Sequence, residues 1–332
     1  LPENKTDLVF YSLRELAYLI KNKRITSKEL TEIFLDRIKK YDSKLNAVVT
    51  MTDSVAFLQA DIADSEIEKG KYRGPLHGIP YGIKDLASYP GYPTTWGAMP
   101  FKNQFLEEKA EVIKKLEESG AVMLCKLSSG SLARGDVWYG AKTLNPWDLS
   151  QGASGSSAGS ASATAASLLP FTIGTETLGS IISPSTRCGV TGLRPTYGAV
   201  STDGFMTLSW SMDKVGPIAK SAVDCAVVFN EIKNNSIITT KKMNFNLDDK
   251  YLKIGYLKTD HEFLINSVKI VFSTTIMSYV FHNSLNYFAK NLNYSSDYKI
   301  LYLLFIVIFV ALLYFLICYF LKVLNLRNFK TN

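Results

Sequence analysis

Leu, Ile and Phe recur at helical spacing over Ser12–Lys21 and again over Ser27–Tyr41, which predicts two amphipathic helices near the start of the chain. Ser27, two residues before Glu29 and three before Leu30, reads as the N-cap of the second. A third helical pattern covers Ser54–Gly70 and stops at its glycine. Residues Gly74–Asp85 then read as a turn feeding a short apolar strand. Ala110–Ser119 is helical in pattern, and Ala121–Cys125, after Gly120, is a buried strand. Leu168-Leu-Pro-Phe-Thr-Ile is a further strand, running into a Thr-Leu-Gly-Ser turn at Thr177–Ser180. This alternation predicts an α/β fold, a central mixed sheet flanked by helices. No internal repeat interrupts it.

The pattern changes character near residue 256. Residues 1–255 contain all 21 glycines and all 11 prolines, and the remainder is dense in Phe, Tyr, Leu, Ile and Asn. Within that tail, Ile300–Leu321 runs 22 residues without a charge. As a helix it would be roughly 33 Å long, enough to cross a bilayer core. Asp297 and Lys299 precede it, and Lys322, Arg327 and Lys330 follow it. Two domains are therefore expected, 1–262 carrying the α/β part and 263–332 carrying the apolar tail. Membrane tethering through 300–321 is one reading of the tail. A shift of reading frame, which would also enrich residues of A/T-rich codons, is the other. At the opposite end the chain starts Leu1-Pro-Glu-Asn-Lys5 without an initiating Met, as a processed protein or a fragment would. The expected location of the α/β part is cytoplasmic or periplasmic.

Composition narrows the chemistry. With 47% apolar and 20% charged residues the chain can bury a large core, which excludes disorder. Cys125, Cys188, Cys225 and Cys318 lie far apart, and the three histidines, His77, His261 and His282, are scattered. No disulfide scaffold, cysteine-ligated zinc site or His-rich metal site is expected from them. The net charge of +7 is spread without long basic runs, so no nucleic-acid partner is expected.

Candidate chemistry concentrates between residues 152 and 191. Gly152-Ala-Ser-Gly-Ser-Ser-Ala-Gly-Ser160 opens a stretch of small residues that continues to Ser167. A flexible linker has this composition, but a linker does not usually lead into a buried strand, and such residues let backbone amides approach a ligand closely. An active-site loop fits better. A Ser-His-Asp system would need His77, the sole histidine before residue 255, and Gly155-Ser-Ser-Ala-Gly159 does place Ser157 at the centre of a G-x-S-x-G pattern. His77 reads better as a structural loop histidine. A lysine neutralised by burial can activate a serine instead, and Lys84, after the apolar run Ile79–Ile83, is the candidate.

Four ordered segments carry a resemblance: Gly78-Ile-Pro-Tyr-Gly-Ile-Lys-Asp85, Gly155-Ser-Ser-Ala-Gly-Ser160, Gly174-Thr-Glu-Thr-Leu-Gly-Ser180 and Cys188-Gly-Val-Thr-Gly-Leu-Arg-Pro-Thr-Tyr-Gly198. Residues 12–262 resemble the amidase signature family of Ser-cisSer-Lys hydrolases. The resemblance implies an amidase-signature fold with a central twisted mixed sheet, hydrolysis of a small-molecule carboxylic amide through a serine acyl-enzyme, and no cofactor. It implies that Ser180 is the nucleophile, Ser156 the bridging serine at a cis peptide bond, and Lys84 the base. The oxyanion hole would comprise the N–H groups of Thr177, Leu178, Gly179 and Ser180. The three side chains should converge at one edge of the sheet.

The sequence departs from the family pattern at four places. Glu176-Thr-Leu-Gly-Ser-Ile-Ile182 stands where Asp-Thr-Gly-Gly-Ser-Ile-Arg is usual, and Ala158 replaces a glycine after the serine pair. Leu178 is comfortable in the turn only at negative φ. These variants resemble general bacterial amidases more than the glutamyl-tRNA amidotransferase A chains, which are the second reading. Past about residue 262 no family feature is legible, so the fold is expected to be incomplete at its C-terminus. A truncated, membrane-tethered, non-catalytic relative is the third reading, with weak or absent activity.

Overall fold

The computed structural model describes residues 1–234, 261–289, 292 and 298–320. Two compact units divide the chain, Leu1–Met243 and Asn244–Asn332. In chain order the first contains α1 (Leu13–Lys21), α2 (Ser27–Leu45), β1 (Val48–Met51), α3 (Asp53–Glu68), β2 (Pro80–Lys84), α4 (Glu111–Glu118) and β3 (Val122–Leu127). It continues with β4 (Leu144–Asn145), β5 (Asp148–Gly152), α5 (Ala158–Ala165), β6 (Phe171–Glu176), α6 (Ile182–Cys188), β7 (Thr191–Gly192), β8 (Lys214–Ala219) and α7 (Ala222–Ile232). The second unit contains α8 (His261–Tyr287) and α9 (Lys299–Phe320).

Six strands form one mixed sheet in the order β1-β3-β2-β6-β8-β7, and β4 and β5 form a separate hairpin. At the centre β3, β2 and β6 are parallel, while β1, β8 and β7 pair antiparallel. Every residue of β2, β3 and β8 is buried. Burial on both faces explains why β2 and β3 read as short apolar runs rather than as alternating ones. The rings of Tyr81 on β2 and Phe171 on β6 stack 5.5 Å apart, and with Ile83 opposite Ile173 the carboxyl end of β6 runs about two residues past that of β2.

The first two helices form where the apolar spacing placed them, but the cap of α2 is Thr26 rather than Ser27. The Thr26 hydroxyl accepts the Glu29 N–H, and the Glu29 carboxylate accepts the Thr26 N–H in return. Thr26-Ser-Lys-Glu29 is a capping box, a pattern that fixes the cap one residue earlier. Ser27, now the first helical residue, uses its hydroxyl to donate to the Gly78 carbonyl at 2.9 Å, tying α2 to the turn before β2.

The small-residue stretch contains a helix the sequence pattern did not reveal. Ala158 through Thr164 are all buried in α5, so no polar face exists to set a helical period. Small side chains are required by proximity. A Cβ on Gly159 would lie 2.4 Å from the Ala47 carbonyl oxygen and 2.5 Å from the Ser128 nitrogen.

A buried ion pair closes the ends of β2 and β3. Lys126 Nζ lies 2.8 Å from Asp85 Oδ1, with both side chains fully buried. Lys126 also donates to the Pro93 carbonyl at 2.6 Å and to Thr94 Oγ1 at 2.7 Å. Asp85 Oδ2 accepts the Thr95 N–H at 3.0 Å and the Thr95 hydroxyl. Desolvation pushes the Asp85 carboxyl up and the Lys126 amine down from their ordinary values, and each partner's charge opposes the other's shift.

In the second unit α9 is an apolar helix with much of its surface exposed, and Phe288 packs its ring against Tyr302 and Phe305 at 5.7 and 6.4 Å. Its Lys299–Cys318 stretch is long and apolar enough to cross a membrane by length and composition. Lys253-Ile-Gly-Tyr-Leu-Lys258, which resembles a strand of the family, and the basic residues after Leu321 lie outside the described residues.

Two stability measurements check this description. Thr26→Ala should cost about 1 kcal/mol in denaturant unfolding through loss of the cap. Lys126→Met, which leaves the Asp85 carboxylate buried without its cation, should cost roughly 3–5 kcal/mol.

Candidate active site

Lys84 ends β2, and Thr175 and Glu176 end the neighbouring parallel β6. The carboxyl ends of adjacent parallel strands leave a crevice in which side chains from several loops can meet. The expected edge of the sheet is thus the carboxyl rim of two central strands, not an outer strand. Lys84 Nζ lies 2.7 Å from Ser156 Oγ, 3.1 Å from Ser157 Oγ and 2.9 Å from Thr175 Oγ1. Lys84, Ser156 and Ser157 are buried. Complete desolvation holds the Lys84 amine well below the usual lysine range, and the carboxylates of Asp213 and Glu176 oppose that shift only in part.

Ser156 follows a cis peptide bond from Gly155. Ser157, the centre of the G-x-S-x-G pattern, is engaged with the backbone. Its Oγ donates to the Thr175 carbonyl at 3.0 Å and accepts the Thr175 N–H at 3.2 Å. These bonds pin the serine loop to the end of β6. The Ser157 N–H donates to the Ser180 carbonyl at 3.0 Å, so the loop also holds the turn after β6. Ser180 is half-buried, and its hydroxyl makes no hydrogen bond among the described residues. Lys84 and Ser156 are therefore in direct contact, and Ser180 is tied to the same loop through the bond of its carbonyl to Ser157.

The turn 177–180 is held from several sides. Glu176 Oε2 accepts the N–H groups of Ile181 and Ile182 at 2.9 and 3.0 Å. Thr177 Oγ1 donates to Asp213 Oδ1 at 2.6 Å, and the Thr177 carbonyl accepts from Lys214 Nζ at 3.1 Å. Leu178 takes a negative φ, and Gly179, at φ +116°, supplies the conformation that a side chain would resist. The N–H groups of Thr177, Leu178, Gly179 and Ser180 have no protein acceptor among the described residues. Such a row of donors can receive an anionic oxygen. Leu178 itself is 82% exposed, and Ile182 is also exposed.

Sequence reading missed Thr175, Asp213 and Lys214. Thr175 lies inside one of the four motifs, but its role is set by strand register. Asp213 and Lys214 arrive from 36 and 37 residues downstream, with no local pattern to flag them. His77 sits apart from this cluster. Its Nδ1 accepts the Arg73 N–H at 3.1 Å, its Nε2 lies 3.3 Å from Glu66 Oε2, and burial lowers its pKa. Gly120 packs against it so closely that a Cβ there would lie 2.3 Å from the ring. Among the described residues no group of three or more His, Cys, Asp or Glu side chains is placed to hold a metal.

Comparison with known proteins gives these elements a context. The A chain of the glutamyl-tRNA(Gln) amidotransferase from Acinetobacter baumannii (strain AB0057) is 40% identical over 247 residues, covering 74% of this chain and 50% of that protein. The native peptide amidase of Stenotrophomonas maltophilia has a similar structure, with a TM-score of 0.66 and 35% identity over 70% of this chain and 50% of its own. A bacterial aryl acylamidase of the amidase signature family matches with a TM-score of 0.63 at 28% identity, over 68% of this chain and 48% of its own. The chain thus spans about half the length of the curated relatives it matches. The sequence profile described as Amidase matches residues 29–278, a span that includes β2, β6 and all four motifs, and the chain belongs to that family.

Proposed function

We propose that this protein hydrolyses the C–N bond of a carboxylic amide through a serine acyl-enzyme. The observation that carries the reading is the 2.7 Å contact between the fully buried Lys84 amine and Ser156 Oγ. Burial favours the neutral amine, whose lone pair can accept the Ser156 proton. Ser156 then takes the proton of Ser180 as Ser180 Oγ attacks the amide carbon. Charge developing on the carbonyl oxygen is received by the N–H groups of Thr177, Leu178, Gly179 and Ser180. In general one such donor is worth about 3–4 kcal/mol in the transition state. The proton returns from Lys84 through Ser156 to the leaving nitrogen, the C–N bond breaks, and water releases the acyl group from Ser180 by the same route in reverse.

A second reading, a protein like the amidotransferase A chain, is favoured by the 40% identity to the Acinetobacter protein of that name. A protein of that kind would release ammonia productively only with its partners, whereas a general amidase would turn over simple aliphatic and aryl amides alone. The apolar helix α9 supports membrane tethering of either. Charged substitutions within it, Leu304→Arg with Ile308→Arg, should then release the chain from a carbonate-washed membrane pellet.

Fluorophosphonate labelling and amide hydrolysis test the mechanism. Ser180→Ala should abolish labelling, Lys84→Ala should slow it by roughly 10²–10⁴-fold, and His77→Gln should leave it near the starting level. Equal loss from His77→Gln and Ser180→Ala would restore a histidine mechanism. No labelling of the unaltered chain would favour the non-catalytic reading. The pH profile has a definite sign. Because burial depresses the Lys84 pKa, the active neutral form predominates above that value, and activity should fall as pH falls through it. Labelling rates measured across a pH series check this, and a rate that climbs on acidification would contradict it.

A further inference from the structure

We infer that Lys214 is a positioning residue that polarises the oxyanion turn through the carbonyl of Thr177, an inference that rests on the amidase reading above. Lys214 begins β8 and is the ladder partner of Glu176, so Thr177 lies one residue past the last rung. Its side chain is largely withdrawn from water, the residue being 7% exposed. Among the described residues its ammonium has no carboxylate within ion-pair distance and makes one hydrogen bond, to the Thr177 oxygen at 3.1 Å. A cation removed from solvent normally acquires a counter-charge, and this one is spent on a single peptide group.

That peptide is the one whose nitrogen belongs to Leu178. Drawing electron density toward the Thr177 oxygen increases the positive charge on the Leu178 N–H, because the two dipoles share one conjugated amide. The Leu178 N–H has no protein acceptor among the described residues, and it is one of the four donors that the amidase reading assigns to the developing negative charge. Asp213 prevents the peptide from rotating. Its Oδ1 accepts the Thr177 hydroxyl at 2.6 Å, while its Oδ2 accepts the N–H groups of Leu208 and Ser209 at 2.7 and 3.0 Å. Thr177 is therefore gripped at its side chain by an anion and at its carbonyl by a cation, and the second grip is the one that tunes the donor.

The test compares Lys214→Met and Lys214→Arg with the unaltered full chain, by fluorophosphonate labelling and by the separate kcat and KM for a simple aryl amide. The Met variant should lose about tenfold in labelling rate and in kcat with KM unchanged, a fraction of what removal of a whole oxyanion donor costs. The Arg variant should recover most of it, and thermal unfolding should shift little in either. A Met variant as fast as the parent overturns the inference. So does equal loss in both variants accompanied by a matching fall in melting temperature, since that is the signature of a mere strand tie. Should the Met variant not fold, Lys214→Gln keeps a neutral donor of similar reach. Its labelling should still slow, and a parental rate would overturn the role of the charge. An unaltered chain that labels at no serine overturns the amidase reading and this inference together, whereas a parent that labels normally beside an indifferent Met variant overturns the inference alone.

Discussion

The structure depends on one constraint: an amine with no access to water must still find partners. Lys84 meets it with hydroxyls rather than carboxylates, at Ser156, Ser157 and Thr175. Had a carboxylate been in contact, the amine would be held charged and could accept nothing. Hydroxyls satisfy its hydrogen bonding while leaving its protonation state to desolvation. The neighbouring residue shows the contrast. Asp85, next in sequence, is buried equally well but paired with Lys126 at 2.8 Å, and that pair serves to fasten strand ends. Two buried lysines on adjacent strands thus sit in opposite settings, Lys84 among hydroxyls and Lys126 against a carboxylate.

Crowding around the serine loop follows from the same constraint. To bring two hydroxyls onto one amine at the end of β2, the backbone before α5 must pass very close to β6. Ser157 is bonded to both polar backbone groups of Thr175, and Gly159 leaves no room for a side chain beside Ala47 and Ser128. Composition that resembles a linker is here the consequence of tight packing. The residues are small because their neighbours are near, not because the segment is loose.

Much of the fold was legible in the sequence because the central strands are buried on both faces and the early helices on one, and each condition leaves its own periodicity. Helix α5 was not legible, since a helix buried all round has no polar face. The cap of α2 was misplaced by one residue, although Thr26 and Glu29 held the needed signal. At the site, Lys84, Ser156 and Ser180 stood out through short ordered motifs, and the structure puts the first two in contact. Thr175, Asp213 and Lys214 did not stand out, because their proximity is created by the pairing of β6 with β8 and not by spacing along the chain. The family match over residues 29–278 covers these elements, and relatives of different names resemble the same part of the chain.

The parallel pairing of β2 with β6 has a consequence for folding order. Lys84 and Thr175 are 91 residues apart in sequence, yet their side chains meet at 2.9 Å. No local segment contains this cluster, so it cannot exist in a nascent helix or hairpin. It forms only when a long loop closes and β6 pairs directly with β2. Contacts of such separation are slow to form. A chain still emerging from synthesis, or one partly unfolded, therefore holds its lysine solvated and charged, and whatever reactivity the serines acquire arrives only with the completed sheet.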